Sequence, residues 1–136
     1  MPTGNMSVER PLSPHLQIYR LTLPMVMSIV HRTTGAALYV GTLLMAWWLI
    51  AAALGPNAYA AVQWFLATWV GRLVLFGYTW TLIHHMLGGI RHLIWDTGHG
   101  LGAVEREWLV RATLLGSIGL TILLWVIGYV SMGGWR

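Results

Sequence analysis

Apolar residues fall in three long runs along this chain, at about residues 24–54, 59–95 and 112–132. A helix needs ~20 apolar residues to cross the hydrocarbon core, so each run predicts one transmembrane span. The plan is an all-α membrane protein with three transmembrane helices. Between and around them lie an N-terminal interfacial segment at 1–23, an outer loop at 55–58, a second loop at 96–111 and a short tail at 133–136. Pro24 suits the first turn of a helix, where its missing N–H leaves nothing unpaired. Pro2, Pro11 and Pro14 keep the N-terminal segment extended or turning. Its mix of apolar and polar groups without helical period suits docking against another protein.

Composition agrees with a bilayer as the solvent. The 136 residues are 57% hydrophobic and 9% charged, against about 25% charged in soluble domains. No length remains for a soluble catalytic domain. The absence of cysteine excludes an iron–sulfur cluster or a disulfide framework within the chain. All eight basic residues are arginines, dispersed rather than clustered, so the net charge of +4 does not describe a nucleic-acid surface. It does set topology. Arg10, Arg20 and Arg32 precede or open the first span, Arg91, Arg106 and Arg111 flank the second connection, and the first connection carries no charge. The positive-inside rule then places the N-terminus and the second connection in the cytoplasm and the C-terminus outside, with Arg136 the exception. Residues 1–20 lack the apolar region of a signal peptide, and no Arg-rich, Ser-rich transit stretch precedes the first motif. A bacterial inner membrane is the expected location. Trp47, Trp48, Trp64, Trp69, Trp95, Trp108 and Trp135 fit interfacial belts and carry no assigned chemistry.

Against this background the polar residues inside the spans stand out. Ionisable groups are costly in hydrocarbon and mark functional sites by default, and His84-His85-Met86-Leu87-Gly88-Gly89-Ile90-Arg91-His92 places four within nine positions. On a helix His85, Gly88, Gly89 and His92 share a stripe. Two imidazoles separated by residues without bulk suit a flat ligand such as haem, or a closely packed partner helix. A stripe of His84, Gly88 and Arg91 is equally compatible with the period. In the first span Ser28 and Arg32 stand at i and i+4 with His31 beside them. Arg32 is either a snorkelling anchor or part of a polar pocket for a quinone carbonyl or a haem propionate. The two spans run antiparallel, so Ser28, His31, Arg32, His85, Arg91 and His92 are expected in one layer near the cytoplasmic face. Asp96 follows as a partner for Arg91 or Arg32, or as a proton relay. Arg72, ~20 Å from His85 by helical rise, belongs to the other half of the bilayer. The third span has no ionisable residue and reads as structural.

Three ordered motifs carry a resemblance that covers essentially the whole chain: Arg10-Pro11-Leu12-Ser13-Pro14-His15-Leu16, Ser28-Ile29-Val30-His31-Arg32-Thr33-Thr34-Gly35, and His85-x-x-x-Gly89-Ile90-Arg91-His92-Leu93-x-Trp95-Asp96. Together they resemble the cytochrome b subunit of succinate dehydrogenase, the larger membrane anchor of succinate:quinone oxidoreductases. The resemblance implies that His85, seven residues before His92, is an axial ligand of haem b, with His84 an extra histidine. It implies a helix bundle completed by a small membrane-anchor subunit that supplies the second ligand. It also implies that Ser28 and Arg32 line a ubiquinone site, with Arg32 near a haem propionate. A flavoprotein subunit and an iron–sulfur subunit are implied on the cytoplasmic side.

The expected role is therefore that of a non-autonomous subunit, passing electrons from succinate oxidation to ubiquinone. His31 and His92 are expected beside the haem propionates, and Asp96 or His31 on the proton path. A quinol:fumarate reductase is the nearest alternative, because direction is set by potentials spread over several subunits. A purely structural anchor would need no layer of histidine and arginine. An ion-conducting subunit would need polar groups along a whole span, and residues 73–82 are mainly apolar.

Overall fold

The computed structural model describes residues 12–14 and 17–133. Arg10, Pro11, His15 and Leu16 of the proline-rich motif, and Trp135 and Arg136 of the tail, lie outside the described residues. Four helices follow in order: α1 (Leu23–Leu54), α2 (Pro56–Ala67), α3 (Trp69–Asp96) and α4 (Ala103–Ser131). Among the described residues there is no strand. Helices α1, α3 and α4 are long and apolar enough to cross a membrane, and the chain is a multi-pass membrane protein. Helix α3 packs against both α1 and α4, so the histidine-bearing helix occupies the middle of the bundle.

The second apolar run differs from the single span 59–95 expected for it. It divides at Thr68, whose φ of −66° and ψ of 158° end α2 and cap α3. The Thr68 hydroxyl accepts from the Gly71 N–H at 3.1 Å, satisfying one of the donors a helix start leaves unpaired. At Gly71 a Cβ would run into the backbone of Phe65 and Leu66. Only a residue without a side chain lets the two helices meet so closely. The expected outer loop shrinks to Gly55, whose φ of 110° is open to glycine, and Pro56 begins α2 at once.

The third span likewise starts earlier than residue 112. The charged stretch expected as a loop at 96–111 is mostly the first part of α4. Gly102 caps it, and Glu105 lies in its first turn, favourably placed toward the helix dipole. Glu107 and Arg111 pair at i and i+4 with an N···O distance of 2.6 Å, an arrangement worth a few tenths of a kcal/mol on an exposed helix, ~0.2–0.5 kcal/mol. The true connection is Thr97 to Gly102, turned by positive φ at Gly98 and Gly100, and the Trp95 indole N–H donates to the Gly100 carbonyl at 3.1 Å.

The bundle is polar inside and apolar outside. Its buried apolar side chains among the described residues are Met27, Ala51, Val62, Ile83 and Val110, whereas Thr34, Thr81, His84, Arg91, Thr113, Ser117 and Thr121 are buried polar ones. Leu43, Ile50, Leu115 and Val130 meanwhile face outward. Lipid removes the hydrophobic drive between helices and leaves packing and hydrogen bonds to hold them. Small hydroxyl residues serve that end because each returns its proton to its own helix: Thr34 to the His31 carbonyl, Thr113 to Leu109, Ser117 to Leu114 and Thr121 to Ser117. Helix–helix contacts can then be close without an unpaired hydroxyl.

Candidate functional site

Adjacent residues on a helix point ~100° apart, and the two central histidines turn to different neighbours. His84 faces α4. It is fully buried, its Nδ1 is 3.0 Å from the Ser117 hydroxyl, and its ring stacks on Trp80 at 5.1 Å between centroids. His85 faces α1. Its ring lies parallel to that of His31, with centroids 4.1 Å apart and planes 4° apart. His85 Nδ1 is 3.1 Å from the His31 carbonyl oxygen and 3.2 Å from the Thr34 hydroxyl. Gly35 admits the imidazole, since a Cβ there would stand 3.0 Å from His85 Cε1.

The proton on His85 follows from these contacts. A carbonyl oxygen only accepts, and the Thr34 hydroxyl gives its own proton to that same carbonyl at 2.8 Å. The hydrogen-bond network therefore assigns the proton to Nδ1, which donates. Nε2 keeps its lone pair and has no hydrogen-bond partner among the described residues. This is the tautomer in which metal-binding imidazoles are held, one nitrogen donating to a backbone carbonyl and the other directed at the metal. Among the described residues no three His, Cys, Asp or Glu side chains are grouped to hold a metal ion. An iron carried in by its own macrocycle needs only an axial ligand from the chain, and His85 fits that need.

Other residues of the expected layer divide into three sets. His31 and His92 join His85: their rings are 5.2 Å apart, and His92 meets Trp95 edge-on at 5.2 Å. Ser28 and Arg32 lie along one edge of α1, exposed, with no side-chain hydrogen bond or ion pair among the described residues. Asp96 ends α3, exposed, and makes no ion pair with Arg91 or Arg32. Arg91 turns away from that layer into the protein. Its side chain is buried, with the guanidinium 5.2 Å from the Trp95 ring.

The two glycines expected to clear space for a flat group or a closely packed helix also differ from each other. Gly89 does face open space. Gly88 is covered by His31, whose ring occupies the place a Cβ would take. The gap left by the missing side chain is filled from within the chain. Replacing Gly88 with alanine is accordingly expected to push His31 off the His85 ring and to lower stability by about 1–3 kcal/mol, the usual cost of overpacking. Thermal melting of the assembled complex checks it, and an unchanged melting point would contradict the contact.

Sequence reasoning gave Thr34, Gly35 and Trp95 no role beyond their places in a motif or an interfacial belt, and passed over Ser117. Ser117 carried a usable signal, as a small polar residue in the middle of an otherwise apolar run. A groove of about 490 Å³ lies toward the N-terminal half of α3, lined by Arg72, Gln63, Leu75, Thr79, Trp125 and Tyr129 among others. It contains none of the side chains grouped around His85.

Residues 6–128 match the family model described as succinate dehydrogenase/fumarate reductase transmembrane subunit. The chain belongs to that family. This member is 43% identical to the succinate dehydrogenase cytochrome b556 subunit of Paracoccus denitrificans over 122 residues, covering 90% of this chain and 94% of that protein. It is 36% identical to the corresponding subunit of Rickettsia felis over 118 residues, covering 87% and 92%. It is also 40% identical to the mitochondrial cytochrome b560 subunit of Sus scrofa over 124 residues, covering 85% and 72%. As a succinate dehydrogenase cytochrome b membrane subunit, the chain works within an oxidoreductase complex.

Proposed function

We propose that this chain binds haem b through His85 and forms part of the ubiquinone-reduction site of a succinate dehydrogenase in a bacterial inner membrane, with its N-terminus cytoplasmic. The observation that carries the reading is the fixed tautomer of His85, with Nδ1 donating and Nε2 unpaired. When bound, haem would supply a one-electron centre, held by His85 and by a second imidazole from the small membrane-anchor subunit. His31 and His92 stand beside His85 and are the near polar groups for the propionates, together with Arg32. Ser28 and Arg32 are open to a ligand at the edge of α1. The hydroxyl can donate to a quinone oxygen, and the guanidinium favours negative charge as that oxygen is reduced, an effect that strengthens in a low dielectric. Asp96, exposed at the end of α3, would pass protons from water. Electrons would come from succinate by way of the flavoprotein and iron–sulfur subunits.

The family also includes fumarate reductases, and the residues of this chain do not fix direction. The testing experiment is a reduced-minus-oxidised optical spectrum of the purified complex, followed by rates of succinate:ubiquinone and quinol:fumarate turnover. A low-spin b-type spectrum with faster succinate oxidation is expected. A complex replete in its other subunits that shows no haem would overturn the cofactor assignment, and faster fumarate reduction would reverse the direction.

A further inference from the structure

Arg72 has no part in the proposed electron path. It lines the groove of about 490 Å³ where residues of α2, α3 and α4 meet. Among the described residues its side chain makes no hydrogen bond and no ion pair.

The depth of Arg72 follows from α3 itself. Arg72 and Arg91 are 19 positions apart on that helix, ~28 Å by helical rise, close to the ~30 Å thickness of a hydrocarbon core. Just beyond Arg91 the helix ends and the connection to α4 begins, so Arg91 lies near one membrane face. Arg72 then lies near the other, at the level of lipid headgroups. Trp64 and Trp69, each 73% exposed, flank it in sequence as belt residues do.

The acidic residues belong to the opposite end. They are Glu9, Asp96, Glu105 and Glu107. Asp96 ends α3, ~36 Å from Arg72 by helical rise, and Glu105 and Glu107 follow the same connection at the start of α4. Glu9 precedes α1, which begins at that end too, since its His31 rests on Gly88. Cations at the edge of hydrocarbon are normally paired. That leaves the counter-charge of Arg72 to come from outside the chain.

The lining indicates what kind of molecule carries it. Leu75 and Leu124 make the wall apolar beside Arg72, and Gly128 has open space where a Cβ would stand. Deeper in the bilayer, polar atoms of the wall are satisfied within the chain: the Thr79 hydroxyl donates to the Leu75 carbonyl at 2.7 Å and accepts from the Trp125 indole N–H at 3.3 Å. A polar head seated at that depth would find both groups engaged. The Arg72 guanidinium and the Gln63 amide, exposed on the same lining, are open to one instead. A cation beside an apolar trough matches an amphiphile with a negative head.

We propose that this groove is a binding site for an anionic phospholipid, with its phosphate on the Arg72 guanidinium and an acyl chain against Leu75, Leu124 and Gly128. The planar guanidinium meets phosphate oxygens two at a time. The lipid would join α2, α3 and α4 at the end of the bundle remote from Asp96, and the site stands whether or not His85 binds iron.

The test is native mass spectrometry of the delipidated complex, titrated with phosphatidylglycerol or with phosphatidylcholine of the same acyl chains. Wild type is compared with Arg72→Gln, which breaks no hydrogen bond or ion pair among the described residues, and with Gly128→Leu, whose Cβ enters open space. Wild type is expected to bind one phosphatidylglycerol about tenfold or more tighter than phosphatidylcholine, the scale of one hydrogen bond to a charged group. Arg72→Gln should lose that preference, and Gly128→Leu should lose the tight site. Equal binding of the two lipids by wild type overturns the proposal. So does a preference that survives Arg72→Gln, or a tight site that survives Gly128→Leu. A cryo-electron microscopy map of the wild-type complex in phosphatidylglycerol nanodiscs should show a lipid in the groove. A partner-subunit carboxylate on Arg72, or a partner helix filling the groove, overturns the proposal. If either variant does not assemble, the wild-type titration and map decide.

Discussion

Replacing His85 with leucine is expected to remove the b-type haem spectrum from the assembled complex, whereas His84→Leu should leave it in place. The two side chains are adjacent in sequence and alike in chemistry, but their surroundings differ. His85 has its Nδ1 proton engaged by the His31 carbonyl and its Nε2 lone pair unspent. His84 is enclosed between Trp80 and Ser117 and has no exposure. If His85 holds the iron, its loss would deprive the iron of a bond. The cost of His84→Leu falls on stability instead. It strands buried polar groups, at about 1–3 kcal/mol for each left unsatisfied. Haem content per complex and the melting temperature separate the two effects. A spectrum lost with His84 and kept with His85 would shift the ligand by one residue.

Replacing Arg32 with leucine is expected to lower ubiquinone reduction by about a hundredfold or more, the scale seen when one preorganised donor to developing negative charge is removed. Succinate oxidation with a water-soluble artificial acceptor should be unchanged, because that acceptor takes electrons before the membrane. The exposure of Arg32 makes the experiment clean. Its side chain has no hydrogen bond or ion pair among the described residues, so its removal breaks none of those. Arg32→Lys should recover only part of the rate, since an ammonium keeps the charge but loses the planar fork. Equal loss with both acceptors would point to a defect in assembly, and no loss with either would remove Arg32 from the quinone site.

Both predictions rest on residues that are legible in the sequence, and the reasons are physical. Histidine and arginine inside hydrocarbon are too costly to be incidental, so His31, Arg32, His85, Arg91 and His92 announced themselves. Long apolar runs likewise reveal spans from hydropathy alone. What stayed hidden depends on local capping or on distant contacts. Thr68 is one more small residue within an apolar run until its hydroxyl is seen on the Gly71 N–H. Residues 103–111 read as a loop by polarity, although Glu107 and Arg111 have helical spacing. Gly88 read as room for a flat ligand or for a partner helix, and nothing local chooses between them; His31, 57 positions earlier on α1, fills the space. Helical period allowed either histidine to face α1. Ser117, on another helix, takes one of them away.

Helix α4 has 29 residues without a break, about 43 Å at 1.5 Å per residue, while the hydrocarbon core is ~30 Å thick. Its charged opening, with Glu105, Arg106, Glu107 and Arg111, therefore stands on the same rigid rod as Ser117, whose hydroxyl holds His84. From Arg111 to Ser117 is only ~9 Å along the axis. A tilt imposed on the projecting end would be delivered, undamped by any loop, to the imidazole beside His85.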